Sequence, residues 1–429
     1  MDLVINLHFD KILLGDALLE IIGCEEDENY PRPYELLEEG YCLVLNPGNV
    51  KDNSFNFERT RFISKEKDES LRYCNLRRGD VVLIVKNNLK GAMGNVALYD
   101  DDIEFENIRI NPDMIILRTK ESLSSQFLYY FLQSNCFKKQ MHIYKHGFPF
   151  PQFIPIPSLK EFEFYLPPLD QQERIVEFFS KLDIKIDSRK KINENLKEQV
   201  NTIYNSFFVH FDDFSKDDLK ESEIGLIPKH WDLLSLGEVT DEIKETVENN
   251  MELFPPEHAL DLILFHSRGF KKTNIKNFIV VKQKEFVFSP YGVYKSANNI
   301  FDGLNREFIR MNDLDFDGFV NPRFVVFKVE EGYENFMNMY FKSDTFHQAI
   351  RKLFSDLDKR KVSYDDFSKI KIAYPPKEIV NNFNDIYETF QEIIKCNESI
   401  ITNLEKIKEA LLPKLITGEI EVSQINQDY

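Results

Sequence analysis

The chain has 429 residues and a mass of 50.7 kDa, enough for about two to four domains. It is 42% hydrophobic and 29% charged with a mean hydropathy of −0.38, which allows sizeable cores and excludes a wholly disordered chain. Lys and Arg number 54 against 72 Asp and Glu, a net charge of −18, and that acidity taken alone opposes binding to a polyanion.

The opening segment is interrupted by Asp2 and Asp10, and no basic stretch precedes an apolar core there. A secretory leader is therefore not expected. No apolar run reaches the roughly 20 residues of a membrane helix. The five cysteines, Cys24, Cys42, Cys74, Cys136 and Cys396, are widely spaced and form no Cys-x-x-Cys pair. A disulfide framework and a cysteine zinc site are not expected, and a reducing, cytoplasmic setting fits. Acid gathers at 25–28, 100–102 and 212–223, whereas base gathers at 72–90, 138–146, 185–191, 271–282 and 359–361. Binding to nucleic acid requires those basic stretches to share a face.

Short apolar runs at 81–85, 115–117, 278–281, 286–288 and 324–329 predict strands, and 127–133 and 335–354 predict helices. Leu76-Arg77-Arg78-Gly79-Asp80-Val81 reads as a tight turn into a buried strand, with Gly79 free to take a positive φ and Asp80 at the exit. The loop after that strand carries Lys86, Asn87, Asn88 and Lys90. Amide side chains can pair with adenine edges, and lysines can reach guanine or phosphate. A polar hairpin loop that touches nothing has the same composition. Asp100-Asp101-Asp102 reads as a solvated turn. His142 and His146 stand four apart, as two metal ligands on one helical face can, but no third ligand accompanies them. Lys145 and His146 stand in a second basic loop, just before the stretch that leads into a long helix. The corresponding place in the second half holds Lys359, Arg360 and Lys361. Tyr291, Tyr294, Lys295 and Asn298 mix aromatic, basic and amide groups in a way that suits a groove.

Internal duplication organises the chain. Tyr165-Leu166-Pro167-Pro168 recurs as Ala373-Tyr374-Pro375-Pro376, 208 residues on. At that offset Ile192 falls on Ile400, Leu196 on Leu404, Ile203 on Leu411 and Phe207 on Leu415. Leu14-Gly15-Asp16-Ala17 is echoed by Leu236-Gly237-Glu238-Val239. After each proline pair runs a long helix with steps of four and three. The first seam is Ile175, Phe179, Leu182, Ile186, Arg189, Asn193, Leu196, Val200, Ile203 and Phe207; the second is Phe383, Tyr387, Phe390, Ile394, Asn397, Ile401, Leu404, Lys408, Leu411 and Leu415. Each seam is either the core face of a surface helix or half of a helix pair, and two such helices at one constant offset favour the pair. A helix of that length spans about 60 Å. The expected plan is a globular domain over 1–167, a long helix over 168–211, an acidic linker over 212–223, a globular domain over 224–375, a long helix over 376–418 and a tail over 419–429. The shortest connection makes the helices antiparallel. The expected fold is α+β: two similar domains separated by an antiparallel coiled coil, with approximate twofold symmetry.

Catalytic patterns are scarce. No Gly-x-x-x-x-Gly-Lys-Ser/Thr, Gly-x-Gly-x-x-Gly or Gly-x-Ser-x-Gly occurs, and Ser289-Pro290-Tyr291 is an incomplete amino-methyltransferase signature.

Three stretches resemble the DNA-specificity subunits of type I restriction-modification systems. They are Leu166-Pro167-Pro168-Leu169-Asp170-Gln171-Gln172-Glu173-Arg174-Ile175, then Gly225-Leu226-Ile227-Pro228-Lys229-His230-Trp231, then Leu412-Pro413-Lys414-Leu415-Ile416-Thr417-Gly418-Glu419-Ile420. Arg77-Arg78-Gly79-Asp80-Val81-Val82 also resembles the family's turn before a central strand. In the second half Lys377-Glu378-Ile379-Val380 replaces the Asp170-Gln171-Gln172-Glu173 pattern. The resemblance implies two target-recognition domains, each reading half of a split site on double-stranded DNA, with the helices setting the unread spacer. It implies two methyltransferase subunits as partners, and restriction or translocase subunits in a full complex, with S-adenosylmethionine and ATP held by those partners and no cofactor in this chain. The chain itself is then a non-catalytic reader that touches no membrane. A protein-interaction scaffold whose acidity mimics DNA is the alternative, and a self-contained methyltransferase or nuclease is a third reading.

Overall fold

The computed structural model describes residues 9–24, 30–71, 74–87, 93–100, 103–144, 152–247, 260, 278–290, 309–357 and 362–425. The chain divides into two compact units, 1–190 with 398–429, and 191–397. Each has an α+β plan.

In the first unit a four-stranded antiparallel sheet runs in the order Leu18–Gly23, Met114–Thr119, Val81–Ile84, Val96–Leu98. The central strands read as unbroken apolar runs because both faces are covered. Val81, Leu83, Ile115 and Leu117 point into one core with the helix Ser125–Gln133. Val82, Ile84, Met114 and Ile116 point into another core, shared with a small sheet ordered Ile108–Ile110, Cys42–Leu45, Phe62–Ile63. Ser124 caps the helix by accepting the Phe127 N–H. Strand Asp10–Leu13 pairs antiparallel with Glu163–Leu166, the strand before Pro167.

The second unit repeats this plan. Its sheet runs Thr240–Ile243, Val325–Val329, Phe286–Phe288, Ile309–Met311, again antiparallel. Strand Asp232–Ser235 pairs with Lys371–Tyr374, the strand before Pro375. The expected helix at 335–354 is two helices, Glu334–Lys342 and Asp344–Leu357. The break falls at Ser343, whose N–H ends the first and whose hydroxyl accepts the Phe346 N–H.

The duplicated Leu-Gly pair has a shared physical cause. The Leu14 N–H donates to the Phe162 carbonyl at 2.7 Å, and the Leu236 N–H to the Ile370 carbonyl at 2.8 Å. A Cβ on Gly15 would stand 2.9 Å from Lys160 Cβ, and one on Gly237 the same distance from Ser368 Cβ. Only glycine permits that approach in either copy.

The long helices are Leu169–Asn205 and Lys377–Ile416. In the first unit Ile175, Phe179, Leu182 and Ile186 share one core with Ile401, Leu404, Leu412 and Leu415. Asp183 meets Lys408 and Lys190 meets Glu405, so the two segments run antiparallel there. In the second unit Val200, Tyr204 and Phe208 pack with Val380, Phe383 and Tyr387. The expected seam therefore needs two corrections. Beyond Val200 the buried positions are Tyr204 and Phe208, while Ile203 and Phe207 are half-buried, and near the end of the second helix Leu412 is buried rather than Leu411. A helix at 3.6 residues per turn drifts off a 3.5-residue seam, and the wider turn Ser206–His210 adds to the drift. Gly418 ends the second helix at φ 74° with paired bonds, Gly418 N–H to Leu415 O and Glu419 N–H to Lys414 O.

Two expectations change. The acidic stretch 212–223 contains the strand Leu219–Ser222, hairpinned onto Gly225–Pro228. Cys24 and Cys74 form a disulfide, which their wide spacing does not predict. Tertiary folding brings the end of Leu18–Gly23 beside the segment that precedes the central strand, across 50 residues of sequence. Cys42, Cys136 and Cys396 remain free thiols.

Candidate nucleic-acid interface

The turn before the central strand is the best-defined polar structure of the first unit. Gly79 takes φ 87°, which a side chain would resist. Asp80 is buried, so its carboxylate needs partners. It accepts the Arg77 N–H at 2.7 Å, Arg118 Nε at 2.8 Å and Arg118 Nη2 at 3.1 Å. Arg118 also reaches Glu20 at 2.8 Å and the Asn75 carbonyl at 3.0 Å. Arg78 lies over the Tyr99 ring and donates to the Ile103 carbonyl. The second unit builds the same turn from other residues. Lys284 takes the left-handed position at φ 64°, and Glu285 accepts the Lys282 N–H at 2.7 Å. Sequence reading finds Gly79 and Asp80 but misses Arg118. A clue exists: Arg118 is the only charged residue of the strand Met114–Thr119 and follows four apolar residues.

Of the loop residues expected to touch DNA, the structure describes two. Lys86 and Asn87 form a short strand antiparallel to Gln152–Phe153, with Lys86 opposite Phe153 and Asn87 opposite Gln152. The Asp113 carbonyl accepts the N–H groups of both Val85 and Lys86, which holds this segment to the sheet. Asn88, Lys90, Lys145, His146, Tyr291, Tyr294, Lys295, Asn298, Lys359, Arg360 and Lys361 lie outside the described residues. The helix Asn135–Tyr144 presents Lys138, Lys139 and His142 to solvent. Gln140 fixes this helix through a reciprocal pair of bonds to the Glu163 backbone. Among the described residues no three His, Cys, Asp or Glu side chains gather as a metal site requires.

The junction of globular domain and helix is polar in the first unit. The Gln172 side chain is fully buried and bonds the Ser124 N–H and the carbonyls of Ser122 and Pro167. It ties the start of the long helix to the cap of Ser125–Gln133. At the 208-residue offset its place is taken by Val380, which is buried in the core, and the Pro375 carbonyl accepts the Tyr333 hydroxyl instead. Further along, Asp183 accepts the Tyr130 hydroxyl at 2.9 Å and Lys408 Nζ at 2.7 Å. Burial first, and then the Asp183 charge, push the Tyr130 hydroxyl far above its ordinary pKa. Lys408 is legible in sequence as a polar seam residue, but its partner is not.

The family model for the type I restriction modification DNA specificity domain matches residues 25–198, a span that contains the polar turn, three of the four strands of the sheet and most of the first long helix. The chain is 22% identical over 372 residues to the type I restriction enzyme MjaIX specificity subunit of Methanocaldococcus jannaschii, covering 83% of this chain and 82% of that one. It is 24% identical over 270 residues to the MjaVIII specificity subunit of the same organism, covering 61% and 63%. The whole fold superposes on the S subunit of a type I restriction-modification system from M. genitalium with a TM-score of 0.54 at 15% identity, covering 97% of this chain and 98% of that one. Residues 25–198 of this chain match a type I restriction modification DNA specificity domain.

Proposed function

We propose that this chain reads a bipartite DNA sequence for a type I restriction-modification complex and holds the complex together. The observation that carries this reading is the repeated unit: one sheet order, one Leu-Gly contact and one proline-led helix, each built twice from different residues. A shared frame with unlike loops suits the reading of two unlike half-sites. The long helices then set the unread spacer between them. The chain is a specificity subunit and is not itself an enzyme.

Its partners in this reading are double-stranded DNA, two DNA methyltransferase subunits and, in the restricting complex, translocase subunits. S-adenosylmethionine and ATP belong to those partners. In this reading the partner subunits supply much of the phosphate contact, which agrees with the net charge of −18 on this chain. The cytoplasm is the compartment of such a complex, and among the described residues no helix is long and apolar enough to cross a membrane.

Footprinting of the complex co-expressed with its methyltransferase tests the reading. Two protected half-sites that fade in high salt support it. One continuous footprint overturns the bipartite reading. Absence of any DNA binding with every neighbouring methyltransferase favours the interaction scaffold instead.

A further inference from the structure

A cleft of about 1040 Å³ opens in the first unit beside the turn Arg77 to Asp80. Among its described lining residues the charged side chains are Glu20, Arg77, Arg109 and Arg118, three cations to one anion in a chain of net charge −18. Two of those cations are committed. Arg109 is buried and bonds the Asp68 carboxylate and the Asp68 and Leu71 carbonyls. Arg118 is held by Asp80 and Glu20. Arg77 differs: it is exposed, and no described carboxylate pairs with its guanidinium, while its backbone N–H is pinned by Asp80.

We propose that this cleft takes a phosphate of the DNA backbone, with Arg77 as the donor and the Asp80–Arg118 pair as its positioning clamp. The proposal rests on the DNA-reading function above. A guanidinium fork matches two phosphate oxygens, and a turn fixed by a buried ion pair presents that fork with little ordering left to do. Backbone contacts position a protein on the duplex without reading bases. The second unit supplies an internal contrast. Lys282 occupies the corresponding place, and its ammonium is already paired with Glu245 at 2.9 Å.

The test uses the full chain in complex with its methyltransferase subunits. Duplex affinity is measured across a salt series on target and non-target DNA, for wild type, Arg77→Ala, Arg77→Lys and Lys282→Ala. Arg77→Ala is expected to weaken both duplexes alike, by roughly tenfold at low salt, and to reduce the salt slope by about one. Arg77→Lys restores most of the slope, Lys282→Ala leaves it unchanged, and the methylated motif stays the same throughout. Wild-type affinity and slope in Arg77→Ala would overturn the assignment. So would a changed methylation motif, which would make the cleft a base-reading site. Failure of the wild-type complex to bind any duplex removes the DNA-reading function, and this site with it.

Discussion

Asn397 donates its side-chain amide to the Asn193 side-chain carbonyl at 2.7 Å, and both residues are buried between the helices of the second unit. The repeat alone places Arg189 at the position of Asn397, 208 residues apart. Antiparallel pairing brings Asn193 there instead. A buried amide pair in an apolar seam lowers stability relative to two well-packed leucines, yet it favours the one register in which both amides are satisfied.

Replacing one partner exposes that logic. Asn193→Leu should destabilise the chain by about 1–3 kcal/mol, because it removes the acceptor of a buried amide hydrogen bond from Asn397. The double change Asn193→Leu with Asn397→Leu should recover most of that loss. Urea unfolding of the wild type, Asn193→Leu, Asn397→Leu and the double variant gives the coupling directly. Additive losses would show that the bond does not hold the register.

Alkali should loosen the fold. Burial pushes the hydroxyls of Tyr129, Tyr130, Tyr204 and Tyr340 above their ordinary range, with Asp183 adding to the shift at Tyr129 and Tyr130. Each group keeps its proton in the folded chain and loses it in the unfolded chain near pH 10. Their contribution is therefore complete below about pH 10 and is lost as pH rises beyond it. Tyrosinate absorbance followed with pH should show these groups ionising together with unfolding. Reversible ionisation of all 18 tyrosines near pH 10 without loss of structure would contradict the burial.

The cysteines offer a covalent check. Peptide mapping after alkylation without reductant should recover Cys24 joined to Cys74, with Cys42, Cys136 and Cys396 alkylated once the chain is unfolded. Alkylation of all five in a sample kept anaerobic and then unfolded would show that the pair forms only on exposure to an oxidant.

The loop assignment has its own control. Lys86→Ala with Lys90→Ala should weaken DNA binding by the complex and flatten its salt dependence. Asp100→Ala should change neither. Equal effects of the two changes, measured by the same titration, would remove Lys86 and Lys90 from the interface.

The sequence by itself determined the repeat, the central strands of both four-stranded sheets and the long helices. Pro167 and Pro375 mark equivalent strand ends, and Gly15 and Gly237 mark equivalent close contacts. The runs at 81–84 and 286–288 are strands because apolar residues cover both faces of the sheet. Local rules suffice there, since such positions answer to steric limits within a few residues. Tertiary structure alone decided which side chains meet: Asn193 with Asn397, Asp183 with Tyr130 and Lys408, Asp80 with Arg118, and Cys24 with Cys74. Those pairs join residues tens to hundreds of positions apart. A charge or an amide in sequence carries no mark of its partner, because the free energy that selects the partner comes from burial, and burial exists only once the chain has folded.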